Sequence, residues 1–165
     1  WDEDEEDRYK GGPMARPGSY TVRLTAGGRT VDQSLELVAD PRVLAQGTTL
    51  EDIDAQVALQ LVLVDLLSEV RQFQQTVEEE HDALEERTGE LSQDEAARLL
   101  VVADVLDQVR AADIIYPQPM LVNQVSFLYN MISRADQAPG VEAADQYATL
   151  VAWFARLKEQ YEAGA

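Results

Sequence analysis

Cysteine is absent from this 165-residue chain, and His81 is its only histidine. The lack of cysteine excludes disulfide bonds, thiolate nucleophiles and cysteine-ligated metals. No run of about 18 uncharged apolar residues occurs, so the sequence predicts no membrane insertion. The most apolar stretch, VALQLVLVDLL, is interrupted by Gln60 and Asp65. Several classes of enzyme are excluded by these absences alone.

Positive charge is also scarce. The chain has 13 Lys and Arg against 31 Asp and Glu, a formal net charge of −18. Such a charge repels nucleic acid and anionic membrane surfaces, so we expect no nucleic-acid partner. The chain opens on Trp1 and the acidic run DEDEED instead of a signal segment. We interpret this start as a cleavage point or another boundary within a longer chain.

Two strand patterns follow an N-terminal loop segment. Apolar and polar residues alternate over 20–25 and again over 31–37. Gly27-Gly28 between them supplies the positive φ angles of a tight hairpin turn. A two-stranded hairpin is marginally stable in water, so we expect its apolar face to be covered by another part of a protein.

Helical periodicity dominates the rest of the chain after a linker at Asp40-Pro41 and Gln46-Gly47. It predicts helices over about 50–87, 93–112, 119–136 and 141–162. Thr49 with Asp52, and Ser92 with Glu95, are expected to cap the first two. The inward-facing residues are predicted to be Leu59, Leu63, Leu66, Val70, Phe73 and Val77; Leu99, Val102, Leu106 and Val109; Leu121, Val125, Leu128 and Ile132; and Tyr147, Val151, Phe154 and Tyr161.

The predicted fold is mainly α. Residues 1–43 are expected to form an acidic segment and a β-hairpin, and residues 44–165 are expected to form an antiparallel four-helix bundle. The acid-rich end of the first long helix is expected to project beyond the core or to pair with one neighbour only. Glu78, Glu79 and Glu80 are interpreted as part of a solvated face.

Four stretches carry a resemblance to a known family. They are WD at Trp1-Asp2, RPGSYTVRLTAGGRT, LELVADPRV ending at Val43, and YPQPMLVNQVSFLYNMISRADQAPG from Tyr116 to Gly140. Together they resemble the C-terminal region of large bacterial sortilin-like or glycosyl-hydrolase-like proteins with BNR (Asp-box) repeats. Such proteins consist of β-propellers, then an Ig-like sandwich related to the flagellar hook-cap module, then a helical tail. The resemblance implies that the hairpin within residues 1–43 belongs to a partial Ig-like β-sandwich. The acidic DEDEED departs from the family's basic or aromatic continuation of its strand.

The resemblance implies a non-catalytic role. No Asp box of the form SxDxGxTW occurs here, so any hydrolase activity implied by the family would lie upstream of Trp1. The chain is then a structural or protein-interaction region of a larger secreted or envelope-associated β-propeller protein, located extracytoplasmically and partnered by that protein's propeller or Ig-like portion. An alternative is a free-standing accessory subunit of a multi-protein complex, docking by strand addition. A glycosidase or sialidase is the least favoured alternative.

Side chains capable of chemistry occur without the motifs that organise them. His81 lacks an HExxH or ExxH companion and is interpreted as a bundle-end residue hydrogen-bonded to a neighbour. DEDEED lacks the glycine and spacing of a calcium loop. No GxSxG, GxGxxG or P-loop motif is present. We therefore predict no catalytic, cofactor-binding or metal-binding residues.

The predicted interaction surface consists of Tyr20, Val22, Leu24, Leu35, Leu37, Tyr116 and Tyr129. The aromatic and methionine-rich set around YPQPML has two interpretations. It forms an exposed docking surface, or Phe127 and Met131 face the bundle while Tyr116 and Tyr129 lie at its edge. The second interpretation is favoured here.

Overall fold

A computed structural model describes residues 12–87, 90–110 and 118–164 of the chain. The predictions made for DEDEED and for Tyr116 lie outside these residues. Within the described ranges a two-stranded sheet precedes five helices. The elements are β1 (Gly18–Ala26), β2 (Arg29–Leu37), α1 (Pro41–Ala45), α2 (Leu50–Glu85), α3 (Gln93–Val109), α4 (Leu121–Ile132) and α5 (Ala143–Ala163). The predicted mainly helical class with an N-terminal hairpin is confirmed.

The hairpin is a regular antiparallel ribbon. β1 and β2 pair from Gly18↔Leu37 to Ala26↔Arg29 without a bulge. Gly27 and Gly28 form the turn with φ angles of 55° and 75°. Positive φ at both central residues is the type I′ geometry that matches the twist of the strands, and glycine adopts it without steric cost.

Local capping sets the starts of the first three helices. Asp40 caps α1 by accepting a hydrogen bond from the Arg42 amide at 2.8 Å, so part of the predicted linker is a short helix. At α2 the Thr49 amide donates to Asp52 Oδ2 at 2.8 Å, and the Asp52 amide donates to Thr49 Oγ1 at 3.1 Å. Ser92 and Glu95 form the predicted reciprocal capping box at α3.

The chain divides into two compact units. The first comprises Trp1–Leu61 and Ser133–Pro139, and the second comprises Val62–Ile132 and Gly140–Ala165. The sequence predicts a domain boundary between residues 43 and 44. α2 contributes residues to both units because the division falls within it.

Two glutamines are buried on the part of α2 that belongs to the first unit. Gln56 Nε2 donates to the carbonyl of Ala135 at 2.6 Å, and Gln56 Oε1 accepts from the Gln137 amide. Gln60 Nε2 contacts Ser133 Oγ at 3.1 Å. Gln60 looked in the sequence like an interruption of an apolar run. Instead the Nε2 groups of both amides bind the segment after α4, while the buried Gln60 Oε1 has no hydrogen-bond partner among the described residues.

The core of the second unit is formed by apolar stripes on its four helices. The predicted α4 stripe is fully buried, at Leu121, Val125, Leu128 and Ile132. The predicted α5 stripe is partly wrong, because Val151 is 38% exposed whereas Leu150 and Leu157 are buried beside Phe154. The prediction followed the large residues Tyr147 and Val151, which lie about 60° and about 100° round the helix from Leu150.

Candidate interaction surfaces

The hairpin carries an apolar surface that no described part of the chain covers. Because side chains alternate along a strand, one face collects the apolar residues of both strands. We call these residues the hairpin face: Tyr20, Val22, Leu24, Val31, Leu35 and Leu37. Their exposed fractions run from 37% at Leu37 to 66% at Leu24. Every residue of β1 and β2 is exposed.

The opposite side of the hairpin is polar and internally paired. Arg23 forms two hydrogen bonds with Asp32 across the strands, Nε to Oδ1 and Nη2 to Oδ2, each 2.8 Å long. The Arg23 guanidinium holds the pKa of the Asp32 carboxyl below its ordinary value. Thr25 and Thr30 share a hydroxyl hydrogen bond at 3.1 Å. A ribbon with one apolar and one polar face is typical of an outer layer packed on a second layer.

Both outer edges of the hairpin lack a neighbouring strand among the described residues. A two-residue turn closes on a hydrogen-bonded pair, here Ala26↔Arg29, and hydrogen-bonded pairs then alternate with open pairs. In the open pairs the main-chain N–H and C=O groups point outward. On β1 these groups belong to Ser19, Thr21, Arg23 and Thr25. Each edge is therefore a template for another strand.

A second apolar surface lies in the second unit, between α4 and the start of α5. It is a groove of about 850 Å³. We call it the α4–α5 groove; its lining includes Pro119, Asn123, Gln124, Phe127, Leu128, Met131, Val141, Glu142 and Gln146.

Phe127 and Met131 do not face the helical core, which corrects the favoured interpretation of the YPQPML region. Phe127 is 64% exposed and Met131 is 43% exposed. The reason is helical geometry. Leu128 and Ile132 lie in the buried stripe, and Phe127 and Met131, each one position earlier, point about 100° away from it. Tyr129 is half-buried. The structure thus brings the predicted strand residues together on one face, and it places Tyr129 in the second unit.

At the acid-rich end of α2, Glu78 and Glu80 belong to a paired cluster, whereas Glu79 is exposed as a solvated face requires. Glu80 accepts two hydrogen bonds from Arg98 of α3, and the Tyr161 hydroxyl of α5 donates to its Oε2. Glu78 pairs with Arg110. The expectation that this end projects or contacts a single neighbour is therefore wrong. These acids are paired because basic and phenolic side chains from distant parts of the sequence contact them. Such contacts leave no pattern in the local sequence.

This cluster perturbs the acidity of its members. The Arg98 guanidinium, through its hydrogen bonds, holds the pKa of Glu80 below its ordinary value. Burial raises the pKa of the Tyr161 phenol, and its hydrogen bond to Glu80 adds to that effect. The Arg98 guanidinium also lies 4.3 Å from the Tyr161 ring centre, and Phe73 meets that ring edge-on at 5.4 Å. The arrangement is a packed contact that joins α2, α3 and α5.

His81 is hydrogen-bonded to one neighbour on α2, Asp82, in agreement with the prediction. Its Nδ1 lies 3.4 Å from Asp82 Oδ1, and its Nε2 lies 3.8 Å from Glu85 Oε1. Across residues 12–87, 90–110 and 118–164, no three His, Asp or Glu side chains are grouped so that they could hold a metal ion. In those same ranges no helix combines the length and apolarity that crossing a bilayer demands.

Comparisons with protein-family models, with curated proteins and with solved structures find no match to this chain.

Proposed function

We propose that this chain is a non-catalytic protein-interaction region whose hairpin forms two strands of a larger β-sandwich. The remaining strands belong to another portion of the same protein. The observation that carries the proposal is the hairpin face, where six large apolar side chains are 37% to 66% exposed. Burying such a patch stabilises an association by roughly 25 cal/mol per Å² of apolar area.

The geometry favours a β-sheet as the covering layer. The hairpin is apolar on one side and polar on the other, as in each sheet of a sandwich. Its edges carry outward main-chain groups, which a neighbouring strand would satisfy. Strands of nine residues are long enough to pair along their whole length.

The sequence resemblance supplies the rest of the proposal. The motifs from Trp1 to Val43 and from Tyr116 to Gly140 resemble the end of sortilin-like proteins with BNR repeats. On that basis we propose that the sandwich follows a β-propeller and that the location is periplasmic, cell-surface or secreted. We also propose that α2 to α5 form an antiparallel four-helix bundle. Side-chain contacts of Glu80 with both α3 and α5 support that arrangement.

A second candidate function is a free-standing subunit that docks by strand addition. The absence of a third strand beside β1 or β2 among the described residues favours it. The partner's sheet would then belong to a different chain.

The intact mass of the protein isolated from its natural source separates these two candidates. A species several times larger than 18.3 kDa supports the region of a larger protein. A species near 18.3 kDa that co-purifies with a larger chain supports the subunit. A monomer of that mass without any partner would contradict both, because the hairpin face would then be uncovered in the native protein.

A further inference from the structure

We infer that the α4–α5 groove is a docking site for a cationic amphipathic helix of a partner protein. The inference goes beyond the proposed function, because none of the groove residues belongs to the hairpin.

The groove has the dimensions of a short helical contact. Asn123, Phe127 and Met131 line it at four-residue spacing along α4. That spacing covers about 12 Å, a little more than two helical turns. The first turn of α5 forms the other wall through Glu142 and Gln146. Two parallel rows of side chains of this kind accept the ridge of a third helix.

The exposure of the walls favours a macromolecule over a small ligand. Phe127 is 64% exposed and Val141 is 96% exposed, so both project from the groove. A small molecule on the floor at Leu128 would leave most of that apolar area in water. A helix lying along the groove would cover both walls. Met131 adds a flexible, polarisable side chain of the type common at adaptable helix-binding surfaces.

Charge determines which helix fits. α4 contains no charged residue, so docking on it desolvates no charge. Among the described residues that line the groove, Glu142 alone is charged. In the second unit acidic residues outnumber basic ones by 18 to 6. A partner with apolar residues on one face and Lys or Arg beside them is attracted by this field, whereas a second copy of the same acidic unit is repelled.

Isothermal titration calorimetry with a model peptide tests the inference. The probe is an end-capped amphipathic peptide of about 18 residues, made of leucine and lysine at helical spacing. The same peptide with glutamate in place of lysine is the charge control. We expect the lysine peptide to bind the 1–165 chain and the glutamate peptide not to bind.

Three variants of the chain locate the site. Phe127→Ala should weaken binding of the lysine peptide by about tenfold or more, because large aromatic anchors dominate such interfaces. Glu142→Gln should weaken it by about two- to threefold, with a smaller dependence on salt. Leu100→Ala, at a 73% exposed position of α3 outside the groove, should bind like the unmodified chain. Urea unfolding of each variant verifies that the fold is retained.

Three results would overturn the inference. One is unchanged binding by Phe127→Ala, and another is equal binding of the two peptides. The third is a dimer, seen by light scattering, that Phe127→Ala dissociates, since a second copy would then be the occupant.

Discussion

Arg98 and Glu80 form a two-point ion pair between α3 and α2, with Nε 2.6 Å from Oε1 and Nη2 2.7 Å from Oε2. Arg98 also donates to the carbonyl of Tyr161. Both charged side chains are largely shielded, with 14% and 30% of their surfaces exposed. Removing one partner of such a shielded pair leaves the other charge unpaired, which destabilises the fold.

Glu80→Gln should therefore destabilise the fold at neutral pH by about 1–3 kcal/mol. Because the folded pKa of Glu80 lies below 4.5, its stabilising contribution is present above that pH and is lost as the pH falls through the folded pKa. Urea unfolding should show that the difference in unfolding free energy between the variant and the unmodified chain becomes smaller at acidic pH. Glu79→Gln, at the exposed neighbouring position, is the matched control and should change little. A difference in unfolding free energy that does not change with pH would contradict the ion pair between Glu80 and Arg98.

The buried stripe of α5 predicts that truncating two adjacent side chains, Leu150 and Val151, lowers the free energy of unfolding by different amounts. Leu150 has no exposed surface, so Leu150→Ala should cost about 2–5 kcal/mol by leaving a cavity. Val151 is 38% exposed, so Val151→Ala should cost less than about 1 kcal/mol. Thermal or urea unfolding measures both. If the order is reversed, the helix is rotated toward the stripe centred on Tyr147 and Val151.

The hairpin face predicts a stability change that depends on the partner. Leu24→Ser combined with Val31→Ser removes apolar area that is 66% and 65% exposed, so the isolated chain should lose less than about 1 kcal/mol. The same pair of changes should impair assembly in the native protein. Thr25→Ser with Thr30→Ser, on the polar face of the same strands, should leave assembly unaffected. Equal assembly by both double variants would argue against a covered hairpin face.

Purified 1–165 should not hydrolyse fluorogenic sialosides or aryl glycosides. Glycoside hydrolysis needs a general acid and a second carboxylate placed about 5–10 Å apart at an open site. Glu78 and Glu80 are instead paired with Arg110 and Arg98. Release of fluorophore above a heat-denatured control would contradict the proposal that this region is non-catalytic.

The features that could be predicted from sequence are those set by nearby residues. The Gly27-Gly28 turn and the Ser92–Glu95 capping box follow local rules, because their partners lie within three residues. The α4 stripe was also correct, since its apolar residues recur at one spacing.

The features missed are those set by distant partners. Glu80 looks solvated in sequence because Arg98 and Tyr161 are 18 and 81 residues away. The burial of Gln60 likewise depends on Ser133, 73 residues away. On the candidate surfaces, the apolar hairpin residues were predictable from alternation. The exposure of Phe127 was not, because α4 carries large apolar residues outside its buried stripe, and their burial depends on tertiary packing.

Hydrogen exchange of the hairpin amides tests the central claim most directly. The outward amides of Ser19, Thr21 and Arg23 should exchange rapidly in the isolated 165-residue chain, because no described strand pairs with them. In the assembly isolated from its natural source they should exchange at least about 100-fold more slowly, since a neighbouring strand would bind them. Equal exchange rates in the two preparations would contradict the claim that this hairpin completes a larger β-sandwich.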